Sequence, residues 1–322
     1  SPIDDFVRCA KLAREAGYDG VEVMGSEGYL INQFVSPQVN ARDDAWGGDA
    51  ARRRRFAVEI VRRMREALGP DFIIIYRLSM LELVPEGLAW DEIVEQAKAI
   101  EAAGATIINT GIGWHEARVP TIATSVPRAA FASVTAKMKP HVKLPLVATN
   151  RINMPDVAEK ILAEGQADMV SMARPLLADP HWLNKAKAGQ AHLINTCIAC
   201  NQACLDHVFE NKKASCLVNP RACRETELNY PAAQAKKRIA VVGAGPAGLS
   251  FATVAAGRGH QVTLFDAADE IGGQFNYAKQ IPGKEEFHET IRYYTNLLAK
   301  HGVETRLGKA VTADHLKQSG FD

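Results

Sequence analysis

What most constrains this chain is an alternation. Over its first 190 or so residues, short apolar runs of strand type take turns with amphipathic stretches of helical period. Residues 4–16 carry apolar side chains at helical spacing and stop at Gly17, and YDGVEVM follows as a short strand. Helical patterns then cover 51–68, 90–103, 129–138 and 154–164. Each leads into a further strand: DFIIIYRLS (71–79), ATIINTG (105–111), LPLVATN (144–150) and ADMVSMA (167–173). Gly, Pro or Asp turns introduce the strands. Strands joined through crossover helices run parallel, so an α/β fold with a parallel sheet is expected.

An open doubly wound sheet and a (β/α)8 TIM barrel both satisfy that pattern. The polar residues favour the barrel. Tyr29, Arg77, Asn109, His115, Asn150, Arg151 and Arg174 fall at or just past the carboxyl ends of strands, where a barrel gathers its catalytic groups around one mouth. On this reading the five strands are the fourth to eighth of a partial barrel. Position 1 enters a helix at once, and HLKQSGFD stops where a strand is expected, so the chain reads as an internal piece of something longer.

Composition narrows the function classes. With 322 residues, 47% hydrophobic and 23% charged, the chain is long enough for about two soluble domains. A net charge of +1 provides no field for gripping nucleic acid or an anionic membrane. No apolar run reaches the roughly 18–20 residues of a membrane span, and no signal peptide opens the sequence. A reducing cytoplasm is the expected compartment, and a monomer is compatible with everything above. Three segments are expected: barrel 1–189, cysteine segment and connector 190–235, and dinucleotide domain 236–322.

Four of the six cysteines fall together. Cys197, Cys200, Cys204 and Cys216 read C-x2-C-x3-C-x11-C, three thiols in one tight turn and a fourth a short excursion away. A [4Fe–4S] cluster takes four thiolates around a cube, and this compact, asymmetric spacing suits it. Structural zinc is the rival, although its ligands usually arrive as two close pairs. A disulfide with two remaining thiols is disfavoured by a reducing compartment. Cys9 and Cys223 read as structural thiols.

Beyond a Pro- and Ala-punctuated connector, KRIAVVGAGPAGLSFATVAAGRG runs from a strand through Gly243, Gly245 and Gly248 into a helix. Those glycines permit a tight turn, approach of backbone to a pyrophosphate, and close helix packing. QVTLFD supplies a second strand ending in Asp266, at the spacing of a ribose-binding carboxylate. The motif alone does not choose between FAD and NAD.

The strand-end residues suggest acid–base chemistry. Tyr29 follows the turn Gly25-Ser26-Glu27-Gly28, and a phenol protonated at pH 7 can donate to a developing carbanion. His115, in a Gly-rich loop, can orient that phenol and steady the phenolate. The bland alternatives are a loop tyrosine bonded to backbone and a structural histidine. Trp114 reads as wall or core. Arg77 closes a very apolar strand and requires a partner, either a carboxylate or a flavin. Arg151 and Arg174 close the last two strands, the habitual phosphate site of a barrel; a surface ion pair is the bland reading for each. The charged run 40–49 with Arg52–Arg55 reads as a solvated loop and helix face, with CoA phosphates as a lesser use.

The run DGVEVMGSEGYLINQFVSPQVNARDDAWGGD resembles the old yellow enzyme family of FMN barrels. Together with GIGWHEARVP, NRIN, SMARPLLADP, the cysteines and GAGPAGL, the whole chain resembles the bacterial-type 2,4-dienoyl-CoA reductases. That resemblance implies FMN in the barrel, a [4Fe–4S] cluster on the four cysteines, FAD, and an NADPH site on a later domain. It also implies reduction of an acyl-CoA thioester in fatty-acid β-oxidation. Electrons would pass from NADPH through FAD and the cluster to FMN, which would give hydride to the dienoyl chain. Tyr29 matches the family's proton donor and His115 its second catalytic residue. Arg77 matches the group near the flavin N1 edge, and Arg151, Ala173 and Arg174 those at the FMN phosphate. EIGGQF (270–275), with Gly273 and Gln274, resembles the second loop of two-dinucleotide flavoproteins and favours FAD. A sister enoate reductase or amine dehydrogenase shares the architecture, although the loop 112–120 holds one Trp and no further aromatic for a cation cage. A truncated, non-catalytic piece is the reading from a different class.

Overall fold

The structure is a computed structural model that describes all residues, Ser1–Asp322. The chain forms two compact units. The first comprises Ser1–Ile122, Val126–Ile152 and Asp156–Met172; the second comprises Ala123–Ser125, Asn153–Pro155 and Ala173–Asp322.

In the first unit, strands β1 (Gly20–Gly25), β2 (Ile73–Leu81), β3 (Ile107–Ile112), β4 (Leu146–Ala148) and β5 (Met169–Val170) pair in parallel, in the order β1-β2-β3-β4-β5. Each strand lies beside its neighbour in sequence. A doubly wound sheet would reverse its order at a switch point, so the sequential order is the barrel's. Helix α1 (Pro2–Glu15) precedes β1, and α2 (Leu30–Val35), α3 (Ala50–Leu68), α4 (Trp90–Ala102), α5 (Ala132–Met138) and α6 (Pro155–Ala163) occupy the crossovers. Along β2, Ile74, Tyr76 and Leu78 are wholly buried in the core with Ile60, Val61 and Ile100, while Ile73, Ile75 and Arg77 on the opposite face are only half-buried. Each fully buried apolar side chain in that layer contributes about 1.5–3 kcal/mol.

The two ends of these strands are built differently. At the amino-terminal end Arg65 of α3 donates to the carbonyls of Gly69 (2.6 Å), Phe72 (2.8 Å) and Gly104 (2.8 Å) and to Thr106 Oγ1 (2.9 Å). That end is a fastening. The carboxyl end carries the polar residues singled out above. The charged run preceding and opening α3 is mostly a solvated face with internal pairs, Arg42–Asp44 and Arg52–Asp49 among them. Arg53 departs from it: buried, it donates to Val35 O (2.9 Å), Gly48 O (2.6 Å) and Glu92 (2.7 Å).

The second unit begins with α7 (Arg174–Ala178), α8 (Trp182–Lys187) and α9 (Leu205–Phe209), the last inside the cysteine segment. A connector without helix or strand leads to β6 (Arg238–Val242), α10 (Pro246–Gly257), β7 (Gln261–Phe265), α11 (Phe275–Ala278), α12 (Phe287–Lys300), β8 (Glu304–Arg306) and α13 (Ala313–Gln318). The parallel sheet order is β6-β7-β8. Val241, Leu249, Ala252, Val262, Leu264 and Leu298 form its core. No helix of the chain is long and apolar enough to cross a membrane.

Candidate functional site

The first cluster of chemistry-bearing groups stands on the loops after β1, β2 and β3. Glu27 (φ 58°) and Gly28 (φ 83°) turn the chain so that Tyr29 caps the start of α2. Asn32 fixes that turn, accepting from Gly28 N–H (2.9 Å) on Oδ1 and donating through Nδ2 to Glu82 Oε1 (2.7 Å). Glu82 is buried; its Oε2 accepts from Leu88 N–H (2.8 Å) and its carbonyl from Trp114 N–H (2.9 Å). Three loops are thereby tied at one residue, two through its carboxylate and the third through its main-chain carbonyl. Within that frame Tyr29 Oη lies 2.8 Å from His115 Nε2, with the rings edge-on at 5.2 Å. Tyr29 is 48% exposed, so its hydroxyl is bonded to an imidazole while its ring remains accessible. Trp114 is buried, and its ring lies directly against Gly28.

Arg77 finds a carboxylate. Its Nε and Nη2 reach Glu27 Oε1 at 3.0 and 2.9 Å. Asn109, its Cα partner in the β2–β3 register, donates to Glu22 (2.7 Å) and keeps Oδ1 buried without a donor. Adjacent strands thus offer a guanidinium and an unsatisfied amide oxygen side by side. A flavin's pyrimidine edge, which carries both acceptors and an N–H, suits that donor set. Asn150 (φ 69°) and Arg151 (φ 58°) follow β4 in left-handed backbone. Arg151 is buried and donates from Nε to Val126 O (2.7 Å). In the second unit, Ala173 precedes the short helix α7, and Arg174 donates to Asn201 Oδ1.

The cysteine segment also lies in the second unit. All four thiols are unbridged and half-buried. Burial raises the pKa of the Cys200 thiol and pushes that of Cys216 up to about 11; neighbouring thiols add to both. Backbone N–H groups of Gln202 approach the Cys200 sulfur, and those of Val218 and Asn219 the Cys216 sulfur. No group of three or more Cys, His, Asp or Glu is gathered closely enough to hold a single metal ion, which is what tetrahedral zinc would require. A four-iron cube spreads its thiolates wider than one ion does, and N–H groups directed at sulfur suit it.

The loop after β6 meets the loop after β7. Gly272 N–H donates to Ala244 O (2.8 Å), and a Cβ on Gly273 would come 2.9 Å from Gly245 Cα. A Cβ on Gly248 would come 1.8 Å from Gly243 O, so only glycine allows α10 to start there. Gly245 faces open space, leaving room for a phosphate. Asp266 accepts from Ala244 N–H and from Ala268 N–H (2.8 Å), bracing the glycine turn. Gln274 precedes α11 and is exposed.

Glu27, Asn32 and Glu82 belong to no motif that would single them out in sequence. The only local signal was an acid within a glycine turn; their partners stand far along the chain.

Residues 1–192 match the model of the NADH:flavin oxidoreductase / NADH oxidase family, and residues 241–307 that of a NAD(P)-binding Rossmann-like domain. A metal reductase of Desulforamulus reducens is 44% identical over 314 residues, 98% of this chain and 47% of that protein. An NADH oxidase of Thermoanaerobacter brockii is 41% identical over 318 residues, 97% of this chain and 48% of that protein. A 2-naphthoyl-CoA reductase solved with 2-naphthoyl-CoA superposes with a TM-score of 0.97 at 37% identity, covering 100% of this chain and 49% of that one. The chain spans about half the length of the curated relatives it matches.

Proposed function

Because the chain belongs to the NADH:flavin oxidoreductase / NADH oxidase family, we propose that it carries the site at which a flavin oxidoreductase reduces a carbon–carbon double bond conjugated to a carbonyl. Enoates and enoyl thioesters form the substrate class, with 2,4-dienoyl-CoA a narrower member of it. The observation that carries this reading is the 2.8 Å pair of Tyr29 and His115 on accessible loops at the carboxyl ends of parallel strands.

Arg77 and Asn109 would hold the FMN ring edge, Cys197, Cys200, Cys204 and Cys216 a [4Fe–4S] cluster, and Gly243, Gly245, Gly248, Asp266, Gly273 and Gln274 FAD. For Arg151, Ala173 and Arg174 the phosphate-holding role rests on the resemblance. These groups, when bound, supply hydride at the substrate and single-electron relay from NADPH. The remaining work belongs to side chains. Tyr29 donates its phenolic proton to the carbon on which negative charge develops, and His115 Nε2–H stabilises the phenolate left behind. Asn32 and Glu82 keep the loop of Tyr29 and the loop of His115 in register. Positive charge at Arg77 favours an anionic ring beside it.

One feature supports an acyl thioester over an amine, since the relatives of known structure divide between a CoA thioester and amines in their names. The loop bearing His115 offers no cage for a cation, because Trp114 is buried against Gly28. The test is anaerobic and in deuterated water: the NADPH-reduced holoprotein is given 2,4-hexadienoyl-CoA or cinnamate, and the oxidised holoprotein is given dimethylamine. The expected result is reduction of the thioester or of cinnamate, one solvent deuteron entering carbon, and loss of that step in Tyr29→Phe. Oxidation of the amine alone, or reduction indifferent to Tyr29→Phe, sinks the reading.

A further inference from the structure

One cavity in the second unit serves none of these roles. It measures about 340 Å³, the size of a small-molecule site, and lies between α10, α12 and the chain at 218–221. Its charged lining has a single sign. Arg221 and Arg258 reach it and no carboxylate does, while His301, whose pKa burial lowers, adds an imidazole to the wall. Four arginines elsewhere, Arg53, Arg62, Arg77 and Arg292, each hold a glutamate. Arg221 and Arg258 hold none. Arg258 gives Nε to Pro231 O (2.9 Å), while the Arg221 guanidinium rests 5.4 Å from the Tyr230 ring with its Nε buried and without an acceptor. A guanidinium that lines a cavity without a carboxylate beside it is a group with which an incoming anion can pair. The rest of the wall is aromatic and apolar, with Tyr230, Tyr293, Tyr294 and Leu297 supplying ring faces and a hydrophobic floor.

We propose that this cavity binds a small organic anion that has one aromatic ring system and one carboxylate or phosphate group. The acid group meets Arg221 and Arg258, and the ring lies among the tyrosines. The position is not remote from chemistry. Val218 and Asn219, which line the cavity, also direct their N–H groups at the Cys216 sulfur, and Asn195 Nδ2 holds Val218 O (2.7 Å).

Calorimetry on the holoprotein as purified tests this without any turnover. The probes are benzoate and AMP, with benzamide and adenosine as their uncharged counterparts. The expected result is saturable binding of one anion at one site per chain, about tenfold or more tighter than its uncharged counterpart. Benzoate would assign a carboxylate ligand and AMP a phosphate. Arg221→Met, which keeps the apolar stem, and Arg258→Gln at the same cavity should each weaken binding about tenfold, with flavin and iron content unchanged. AMP held instead by the glycine loop would ignore both substitutions. Absence of binding at millimolar probe, equal binding of the uncharged compounds, or binding that survives both substitutions overturns the proposal.

Discussion

The strand-end mouth and the cysteine segment both hold reactive side chains in place, and they do it in opposite ways. At the mouth, side chains hold side chains: Tyr29 with His115, Arg77 with Glu27, Asn32 with Glu82. In the cysteine segment the backbone is held instead. Arg292 of α12 donates to the carbonyls of Ala191, His192 and Ile194 and to Thr196 Oγ1, all just before Cys197. Asn153 Nδ2 holds the carbonyl of Cys197 (3.0 Å), and Thr124 Oγ1 that of Ile198 (2.7 Å). The Cys200 and Cys216 sulfurs meet backbone N–H groups. The mouth is therefore held by contacts between its own side chains, whereas the cysteine segment is a braced backbone that carries four unbridged thiols.

The largest expected effect strikes the cysteine segment. Cys216→Ser should lower iron and acid-labile sulfide at least tenfold from about four of each per chain, measured anaerobically on purified protein. Retention of flavin by that variant would show that the two regions load independently; loss of both would erase the distinction. Next is Tyr29→Phe, which deletes the donated proton and leaves the ring. Turnover of an enoyl substrate should fall about 10²- to 10⁴-fold, with flavin and iron content unchanged. A change below about tenfold would mean that solvent or another group supplies the proton.

Arg292→Met comes third and asks whether holding the backbone matters. The side chain is about a quarter exposed, so its charge is partly screened, but it leaves four acceptors to be satisfied by water. A loss of about 3 kcal/mol of unfolding free energy is expected, measured by denaturant titration, together with partial loss of iron. Full iron with lowered stability would separate fastening of the segment from assembly of its centre.

How much of this was legible in sequence depends on how far each partner stands along the chain. The strand–helix alternation is a local periodicity, and it foretold the parallel sheet. It missed α2, whose six residues are too few to display a helical period, and β8, whose three residues are all exposed and which exists through its pairing with β7. It overextended the last barrel-type strand, expected over 167–173 and observed as Met169–Val170. Arg77 announced that it required a partner, yet nothing local named Glu27, 50 residues earlier. Asn32 and Glu82 are likewise 50 residues apart, and Arg292 lies 96 residues from Thr196. Motif spacing shows which residues carry chemistry. The residues that hold them are set by the fold.

The smallest effect belongs to Glu82→Gln, and it tests the mouth's side-chain logic most finely. Both carboxylate oxygens of Glu82 accept, one from Asn32 Nδ2 and one from Leu88 N–H. A glutamine keeps one acceptor and turns an NH₂ toward the other donor. If the NH₂ faces Leu88, a half-buried N–H loses its acceptor. If it faces Asn32, that amide must rotate, and Gly28 N–H then loses Oδ1. Either way about 1–2 kcal/mol of stability is lost. In the second case the turn that presents Tyr29 also loosens, and kcat should drop a few-fold while the 2.8 Å partner His115 stays on its own loop. Flavin and iron content should not move. A Glu82→Gln variant that lost iron but kept kcat would tie this carboxylate to the wrong region and end the contrast between the two.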